Sequence, residues 1–369
     1  MQRKGQKRDQ LYEDLKTSII GGKYPPGYRL PREVDFAVEL GVSRKTLRHA
    51  LDRLENDRLI DRLRSRGTFV RFRRYLVLAD NNQDLCMPFN YIIPGIVRAA
   101  ERMGTAVSIC SFSEFENLTR EQVAAGLEAQ QNAGCIVITN NIDENTHIYR
   151  QLKGLHLPIV LAHGHPSDHS FTNWPTVAFD EPAAWRAAFL YLKEIGHRRV
   201  AVGSHRADLS VFRGWKKERF LAMLAEIGLE ADPGLLFSMD ISGKDAGQAV
   251  DRLFQMQKPP TAIVCYSDFW APHIYRTLAE RKLRIPEDVS VMGFCGAPLG
   301  RYLVPALSTI DLQYEKTGEL ALKMLLERNH PPLELVDFKL EVRESTRPLR
   351  NGNENRCPGT PAPIRNTTE

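Results

Sequence analysis

Apolar residues between positions 43 and 56 recur with the spacing of one buried helical face: Leu47, Ala50, Leu51 and Leu54. This i, i+3, i+4, i+7 spacing predicts an amphipathic helix, and Ser43 is well placed to cap its N-terminus. A second short helix is predicted just before it, at roughly residues 32–40, and ends at Gly41, which supplies a tight turn. The pattern therefore predicts a helix-turn-helix.

Two short strand patterns follow, at residues 59–63 and 67–70, on either side of the basic segment Arg64-Ser65-Arg66. Gly67 at the start of the second pattern allows another backbone to approach closely. Together the two patterns predict a β-hairpin with a basic tip, which is a wing beside the helix-turn-helix.

Positive charge is concentrated in the same part of the chain. Residues 1–74 contain 19 Lys and Arg against 10 Asp and Glu, a net charge of +9, whereas the whole chain carries +5 and the remainder therefore −4. On the helix alone, the outward residues Arg44, Lys45 and Arg48 fit a solvated face as well as a DNA contact. The wing and the charge asymmetry favour a module that binds DNA phosphates.

Several motifs in this segment are specific: Tyr12, GYRLPRE at 27–33, GVSRKTLR at 41–48, Ala50-Leu51 and RGTFV at 66–70. They resemble the GntR-type winged helices of bacterial regulators over about the first 72 residues. Arg58 and Ser65 depart from that pattern, because the family usually has Gly at both positions. With Lys45 from the helix pattern added to those the resemblance implies, the predicted contacts to double-stranded operator DNA are Arg32, Ser43, Arg44, Lys45, Thr46, Arg48, Arg66, Gly67 and Thr68.

From residue 74 onward, short apolar runs alternate with helical patterns. The runs lie at residues 75–78, 106–110, 135–138, 158–161, 200–202, 262–265 and 289–292. Strands that are buried on both faces and separated by helices predict parallel sheets with crossover connections. This span of about 280 residues is long for one doubly wound domain and favours two lobes.

Ligands of open parallel sheets bind beyond the carboxyl ends of the strands. The residues that follow the predicted strands are mostly polar or aromatic: Phe89, Asn90, Tyr91, Asn140, Asn141, His163, His165, Asp180, Ser204, His205, Ser267 and Asp268. Asp268 precedes Trp270, and a carboxylate beside an aromatic ring suits a sugar, whose hydroxyls need acceptors and whose C–H face stacks on a ring. The set favours a polyol site, although surface histidines and an Asn-Asn turn stay open as alternatives.

Further motifs lie between residues 74 and 346: VAFD at 177–180, GHRRV at 196–200, PTAI at 260–263, SD at 267–268, IPEDVSVMGF at 285–294 and LSTI at 307–310, followed by Gly318. They resemble the effector domain of LacI/GalR-type regulators, a two-lobed, periplasmic-binding-protein-like fold. The resemblance implies a small carbohydrate bound between the lobes. A GntR-type winged helix joined to this domain is similar to the arabinose-repressor type of regulator.

Departures from the second pattern bear on the ligand. Ser267 stands where the family usually has Asn, and Cys295 replaces the Asp of a Gly-Phe-Asp motif. The ligand-binding Arg of the family falls on Lys216, with Arg213 one turn earlier. The predicted ligand contacts are Phe89, Asn90, Asn140, His163, Asp180, Arg213, Lys216, Asp268 and Trp270. A carbohydrate is the expected effector, and another small polar metabolite is the alternative.

No GxSxG, HExxH or GxGxxG motif occurs, so we predict no enzyme, no catalytic residue, no metal and no cofactor. The six cysteines form no CxxC pair and several lie in apolar runs, which favours buried thiols over disulfides or metal ligands. No apolar run approaches the roughly 18 residues of a membrane span, and the N-terminus lacks the apolar core of a signal peptide. We therefore expect a cytoplasmic protein without membrane contact.

The predicted class is α/β, with an N-terminal winged helix-turn-helix at residues 1–72 and a two-lobed, periplasmic-binding-protein-like domain with parallel sheets at 73–349. The lobes are expected at roughly 74–179 and 180–306, with later crossovers, and residues 350–369 as a disordered tail. The resemblances imply a homodimeric bacterial repressor whose operator affinity changes when a carbohydrate binds. A solute-binding protein without regulatory function is the alternative, but it would need a secretion signal and no DNA-binding domain.

Overall fold

The computed structural model describes residues 2–20, 23–24, 27–57, 59–71, 74–80, 87–130, 132–204, 216–240, 242–327 and 330–349. Arg58, His205, Arg213 and the predicted tail lie outside these ranges. The chain divides into two compact units. Unit 1 contains residues 1–83, 87–178 and 314–334, and unit 2 contains residues 84–86, 179–313 and 335–369.

The N-terminal part of unit 1 is a small helical domain with a hairpin. Its elements are α1 (Gln2–Ile20), α2 (Glu33–Glu39), α3 (Arg44–Asn56), β1 (Ile60–Leu63) and β2 (Gly67–Val70). The buried face of α3 consists of the predicted residues Leu47, Ala50, Leu51 and Leu54. Ser43 caps α3, since its hydroxyl accepts a hydrogen bond from the Thr46 N–H at 3.1 Å. Gly41 adopts a φ of +62° in the turn, a backbone conformation that favours glycine.

The hairpin has a third strand-like segment that the sequence pattern did not reveal. β1 and β2 pair antiparallel, with Asp61 opposite Phe69. Residues 27–30 pair with the other edge of β2, because the Gly27 N–H donates to the Val70 carbonyl at 2.8 Å and the Leu30 N–H to the Thr68 carbonyl at 2.9 Å. This pairing joins the segment before α2 directly to the wing.

The rest of unit 1 is built around a six-stranded sheet with the strand order β13-β7-β6-β5-β3-β4. The strands are β3 (Arg74–Ala79), β4 (Ala106–Ser111), β5 (Asn132–Ile138), β6 (Ile159–Gly164), β7 (Thr176–Phe179) and β13 (Leu333–Val336). The helices are α4 (Phe89–Arg102), α5 (Arg120–Ala129), α6 (His147–Leu152), α7 (Asp168–Thr172) and α12 (Tyr314–Leu326). Pairing from β4 through β7 is parallel, as the buried apolar runs predict.

Helices α4 and α12 pack closely in unit 1 through two glycines. A Cβ on Gly95 would lie 2.0 Å from the Glu315 carbonyl oxygen, and a Cβ on Gly318 would lie 2.2 Å from the Ile92 carbonyl oxygen. Only glycine allows the two backbones to approach this closely. The late helix therefore returns to unit 1, although more than a hundred residues separate it from β7.

Unit 2 contains a second six-stranded sheet with the order β14-β12-β11-β10-β8-β9. Its strands are β8 (Val200–Ser204), β9 (Leu236–Ser238), β10 (Ala262–Cys265), β11 (Ser290–Cys295), β12 (Ser308–Asp311) and β14 (Lys339–Glu341). Its helices are α8 (Glu181–Glu194), α9 (Lys217–Ile227), α10 (Ala246–Phe254) and α11 (Ala271–Glu280). β14 runs antiparallel at the edge, and the other pairs are parallel.

The predicted α/β class with parallel sheets is confirmed. The apolar runs located seven of the parallel strands because buried strands need apolar side chains on both faces. They missed β7, β9, β12, β13 and β14, each of which has only three or four residues and contains at least one polar residue. None of the helices in the described ranges combines the length and the apolar composition that a membrane span requires.

Candidate functional site

The first candidate site is the outward face of α3. Ser43, Arg44, Lys45 and Arg48 are exposed there, and Thr46 is half-buried. The apolar residues of α3 occupy the opposite face, so burial of that face leaves the basic residues in solvent. The structure thus brings five of the predicted DNA contacts together on one helix surface.

Arg48 lies on this surface but is held by a carboxylate. Its Nη2 is 2.8 Å and its Nε is 3.2 Å from Oε2 of Glu33, at the start of α2. This hydrogen bond raises the pKa of Arg48, so the guanidinium keeps its charge. Arg62 of β1 bonds to Asp52 at 2.7 Å and also lies 3.8 Å from Glu33. Glu33 belongs to the GYRLPRE motif, but the sequence pattern gave no signal for its ion pairs, because the partners lie on other elements.

The wing carries the other predicted DNA contacts. Arg66 is exposed, while Gly67 and Thr68 are half-buried. Ser65, which replaces the usual Gly at the tip, adopts a left-handed φ of 62°. The tip thus keeps a conformation that glycine adopts more readily. Arg32 is exposed at the residue before α2.

The second candidate site is a cavity of about 400 Å³ within unit 1. It lies where β3, β5 and β6 end, together with the first turn of α4 and the residues after β4. Three predicted ligand contacts line it, namely Phe89, Asn140 and His163. Asn90 is half-buried in the same turn of α4 but does not line the cavity. Polar and aromatic groups therefore converge at the carboxyl ends of parallel strands, where such folds hold ligands.

His163 is the most constrained of these residues. It is the penultimate residue of β6, with a left-handed φ of 64°, and is 5% exposed. Burial lowers its pKa to about 4, so the imidazole is neutral near pH 7. The His163 and Tyr314 rings pack in a T-shaped arrangement with 5.5 Å between their centroids. Tyr314 in turn stacks on Tyr91, with 6.5 Å between the ring centroids. A neutral imidazole at the cavity wall can donate or accept hydrogen bonds without adding charge.

Sequence reasoning missed other lining residues: Asp80, Met87, Pro88, Phe112, Glu116, Ile138, Thr139, Thr146, His147 and Ile148. Asp80 directly follows β3, and Phe112 directly follows β4. Both positions obey the strand-end rule that located Asn140 and His163, so the same signal could have found them. Thr146 and His147 begin α6 and are brought to the cavity only by the fold.

The predicted ligand contacts of unit 2 do not line this cavity. Asp180 is exposed and caps α8, accepting a hydrogen bond from the Ala183 N–H at 2.9 Å. Lys216 is exposed directly before α9. Arg213 lies outside the described residues.

Asp268 is fully buried. Its Oδ1 accepts a hydrogen bond from the Thr309 hydroxyl at 2.6 Å, and its Oδ2 accepts one from the Ala297 N–H. A Cβ on Gly293 would lie 1.9 Å from Oδ1, so the glycine makes room for the carboxylate. Burial raises the pKa of Asp268 to about 7, although both hydrogen bonds oppose that shift. Asp268 therefore connects the segment after β10 to the segment after β11 and to the beginning of β12.

These observations correct two predicted ligand contacts. Asp268 has no exposed surface, and Trp270 is 2% exposed within the hydrophobic core of unit 2. The ring of Trp270 meets Tyr266 at 6.1 Å rather than facing solvent. Neither residue offers a surface on which a ligand could bind, because the Asp268 carboxylate and the Trp270 ring are both packed inside unit 2.

Two family profiles match the chain. Residues 7–70 match the GntR family of bacterial regulatory proteins, and residues 189–346 match the periplasmic binding protein-like domain. The chain carries a GntR-type helix-turn-helix domain and a periplasmic-binding-protein-like domain. The two resemblances predicted from the sequence motifs are thereby confirmed.

Similar curated proteins are transcriptional repressors rather than enzymes. The arabinose metabolism transcriptional repressor of Geobacillus stearothermophilus is 25% identical over 86% of this chain and 90% of its own length. The HTH-type transcriptional repressor CytR of Escherichia coli K12 is 26% identical over 72% of this chain and 78% of its own length.

Solved structures show the same fold. A LacI-type regulator from Bacillus cereus subsp. cytotoxis is 24% identical, with a TM-score of 0.60, over 75% of this chain and 100% of its own. The regulator CcpA from Weissella paramesenteroides with bound glucose is 17% identical, with a TM-score of 0.61, over 75% of this chain and 99% of its own. At these identities the likeness concerns the fold alone.

Proposed function

We propose that this protein is a transcriptional repressor whose GntR-type domain binds operator DNA. The observation that carries the proposal is the exposed set of basic residues on α3 and the wing, within the segment that matches the GntR profile. The helix of such a motif enters the major groove while phosphate contacts position it. The similar proteins named above are repressors, which supports repression over activation as the effect of DNA binding.

A small carbohydrate is the proposed effector, and the cavity of unit 1 is its proposed site. Phe89 and Phe112 supply aromatic faces, while Asn140, Thr139 and neutral His163 supply hydrogen-bonding groups. Such a mixture suits a sugar, which has an apolar C–H face and many hydroxyls. The similarity to the arabinose metabolism transcriptional repressor supports this class of ligand.

A non-sugar polar metabolite is the second candidate effector. The observation that favours it is that the carboxyl groups of Asp80 and Glu116 also line the cavity of unit 1. Ionised carboxylates accept hydrogen bonds, so they can bind amino or amide groups that a simple sugar lacks. A solute-binding protein without regulatory function is less favoured, because it would not need the GntR-type domain.

The proposed assembly is a homodimer that presents two winged helices to the half-sites of a near-palindromic operator. Ligand binding changes operator affinity through a coupling free energy, which is typically about 1 to 3 kcal/mol. The same coupling requires operator DNA to change ligand affinity by an equal factor. Sedimentation with and without duplex DNA measures the assembly.

Two arginine variants test the DNA-binding proposal. We expect Arg48→Ala to remove discrimination between operator and scrambled duplexes, because Arg48 lies on the helix that reads bases. Arg66→Ala should weaken binding to both duplexes similarly, because a wing phosphate contact carries little sequence information. Fluorescence anisotropy measures both affinities, and equal losses of discrimination in the two variants would contradict the assignment.

Thermal unfolding of the full-length protein tests the effector proposal. The panel contains pentoses, hexoses, deoxysugars, uronates, sugar phosphates and non-sugar polar metabolites. A ligand at a hundred times its dissociation constant stabilises the native state by about 2.7 kcal/mol. A selective sugar supports the first candidate, a non-sugar ligand supports the second, and a ligand that leaves operator affinity unchanged contradicts regulation.

A further inference from the structure

The described basic residues between positions 29 and 71 of the N-terminal domain fall into two groups. In the first group each arginine has a carboxylate partner: Arg48 pairs with Glu33, Arg53 with Asp9, Arg62 with Asp52, and Arg71 with Asp61. In the second group, no partner carboxylate lies among the described residues: Arg29, Arg32, Arg44, Lys45, Arg64 and Arg66. An unpaired cation can neutralise a phosphate without first giving up an ion pair.

Arg29 is the one member of this second group that no motif or resemblance singled out as a basic tip or DNA contact. It lies in the strand-like segment 27–30, opposite Phe69 of β2, and is exposed. Its guanidinium carbon is 5.9 Å from the centre of the Phe69 ring, within cation–π range. Residues 67 and 69 point to the same face of β2, so Arg29 lies across the outward face of the wing.

Gly67 supports the position of Arg29. A Cβ on Gly67 would lie 2.9 Å from Nε and 3.3 Å from Nη2 of Arg29, so a side chain there would displace the guanidinium. The φ of +114° at Gly67 also favours glycine. Gly67 thus has a role that the turn alone does not explain, because it lets an arginine from another segment lie flat on the wing.

We propose that Arg29 binds a DNA phosphate beside the wing and is a further DNA-contacting residue of this domain. Phe69 and the open space at Gly67 hold its guanidinium in place before DNA arrives, which reduces the conformational entropy lost on binding. The contact is independent of sequence, as expected for a charge–phosphate interaction. The inference rests on the proposed DNA-binding function.

The test measures the salt dependence of binding to a short fluorescein-labelled duplex of mixed sequence. Each phosphate contact contributes about 0.9 to the slope of log affinity against log salt concentration. We expect Arg29→Ala to lower the slope by about this amount per DNA-bound domain and to weaken binding at every salt concentration. Arg29→Lys should keep most of the slope, because a lysine retains the positive charge.

Two control variants show what slope a lost phosphate contact and a lost distant charge each produce. Arg66→Ala removes a proposed wing contact and should lower the slope similarly. Arg276→Ala removes an 81% exposed arginine of unit 2 and should leave the slope unchanged. Circular dichroism checks that each variant is folded. If Arg29→Ala loses helical signal, the test relies on the salt slope of Arg29→Lys compared with that of the wild type.

The outcomes separate the two proposals. If the wild type does not bind the duplex, DNA binding itself is refuted. If the wild type binds and Arg66→Ala lowers the slope while Arg29→Ala retains it, only the role of Arg29 is overturned. Equal slopes for Arg29→Lys and Arg29→Ala would likewise overturn it, because a phosphate contact depends on charge.

Discussion

The two parallel sheets differ at their carboxyl edges. In unit 1 the edge opens onto a cavity of about 400 Å³ lined by Asn140 and His163. In unit 2 the residue at the equivalent kind of position, Asp268, is fully buried and bonds to Thr309 and Ala297. A polar residue after a buried strand is therefore a candidate for ligand binding only when its hydrogen-bonding groups are not already used by the protein.

The largest effect that tests this contrast is expected from Asp268→Ala. The change leaves the buried Thr309 hydroxyl and Ala297 N–H without their acceptor and opens a cavity, which should reduce the free energy of unfolding of unit 2 by about 4 kcal/mol. Urea denaturation measures the loss.

Asp180→Ala is the matched control, because Asp180 also follows a strand but is exposed and only caps α8. Loss of an N-cap should cost about 1 kcal/mol. Similar losses in the two aspartate variants would contradict the structural role assigned to Asp268.

The second prediction concerns pH. The pKa of Asp268 is about 7 in the folded protein and 3.8 as its ordinary value, so the native state binds more protons between these values. The free energy of unfolding should therefore fall as pH rises from about 4 to about 7, by up to about 4 kcal/mol. The stability that Asp268 contributes is fully present below about pH 4 and disappears as the pH rises through about 7.

Asp268→Asn cannot titrate and should lack this contribution. Burial lowers the pKa of His197 in the same unit to about 4, which acts in the opposite direction between about pH 4 and 6.5. The difference between wild type and Asp268→Asn, measured by denaturation at several pH values, isolates Asp268. A difference that does not change with pH would show that Asp268 is ionised throughout.

The smallest effect is expected in the cavity of unit 1. Asn140→Ala should weaken the sugar selected by the thermal panel about tenfold, or about 1.4 kcal/mol, because one hydrogen-bonding side chain is lost. The free energy of unfolding should change little, because Asn140 is exposed. Calorimetry measures the affinity.

Asn145→Ala is the matched control, since Asn145 lies in the same connection but does not line the cavity. We expect its affinity for the sugar to equal that of the wild type. If Asn140→Ala behaves like Asn145→Ala, the cavity of unit 1 is not the effector site.

Much of the fold follows from local pattern. The helical spacing from Leu47 to Leu54 located the buried face of α3, and the apolar runs located seven strands of the two sheets. Short edge strands such as β14 escaped prediction because they are stabilised by pairing with neighbours and not by their own apolar sequence. The same limit concealed the pairing of residues 27–30 with the wing.

The sequence by itself determined the helix-turn-helix, the basic front segment, the parallel sheets and the strand-end positions of the polar residues. These properties depend on local periodicity and on residue type. Only the tertiary structure decided that His163 borders a cavity while Asp268 is closed off, and that Arg29 lies over Gly67. Each of these outcomes depends on distant residues, as in the Asp268–Thr309 bond across 41 positions. Burial and bonding between such residues are set by packing, which no local pattern records.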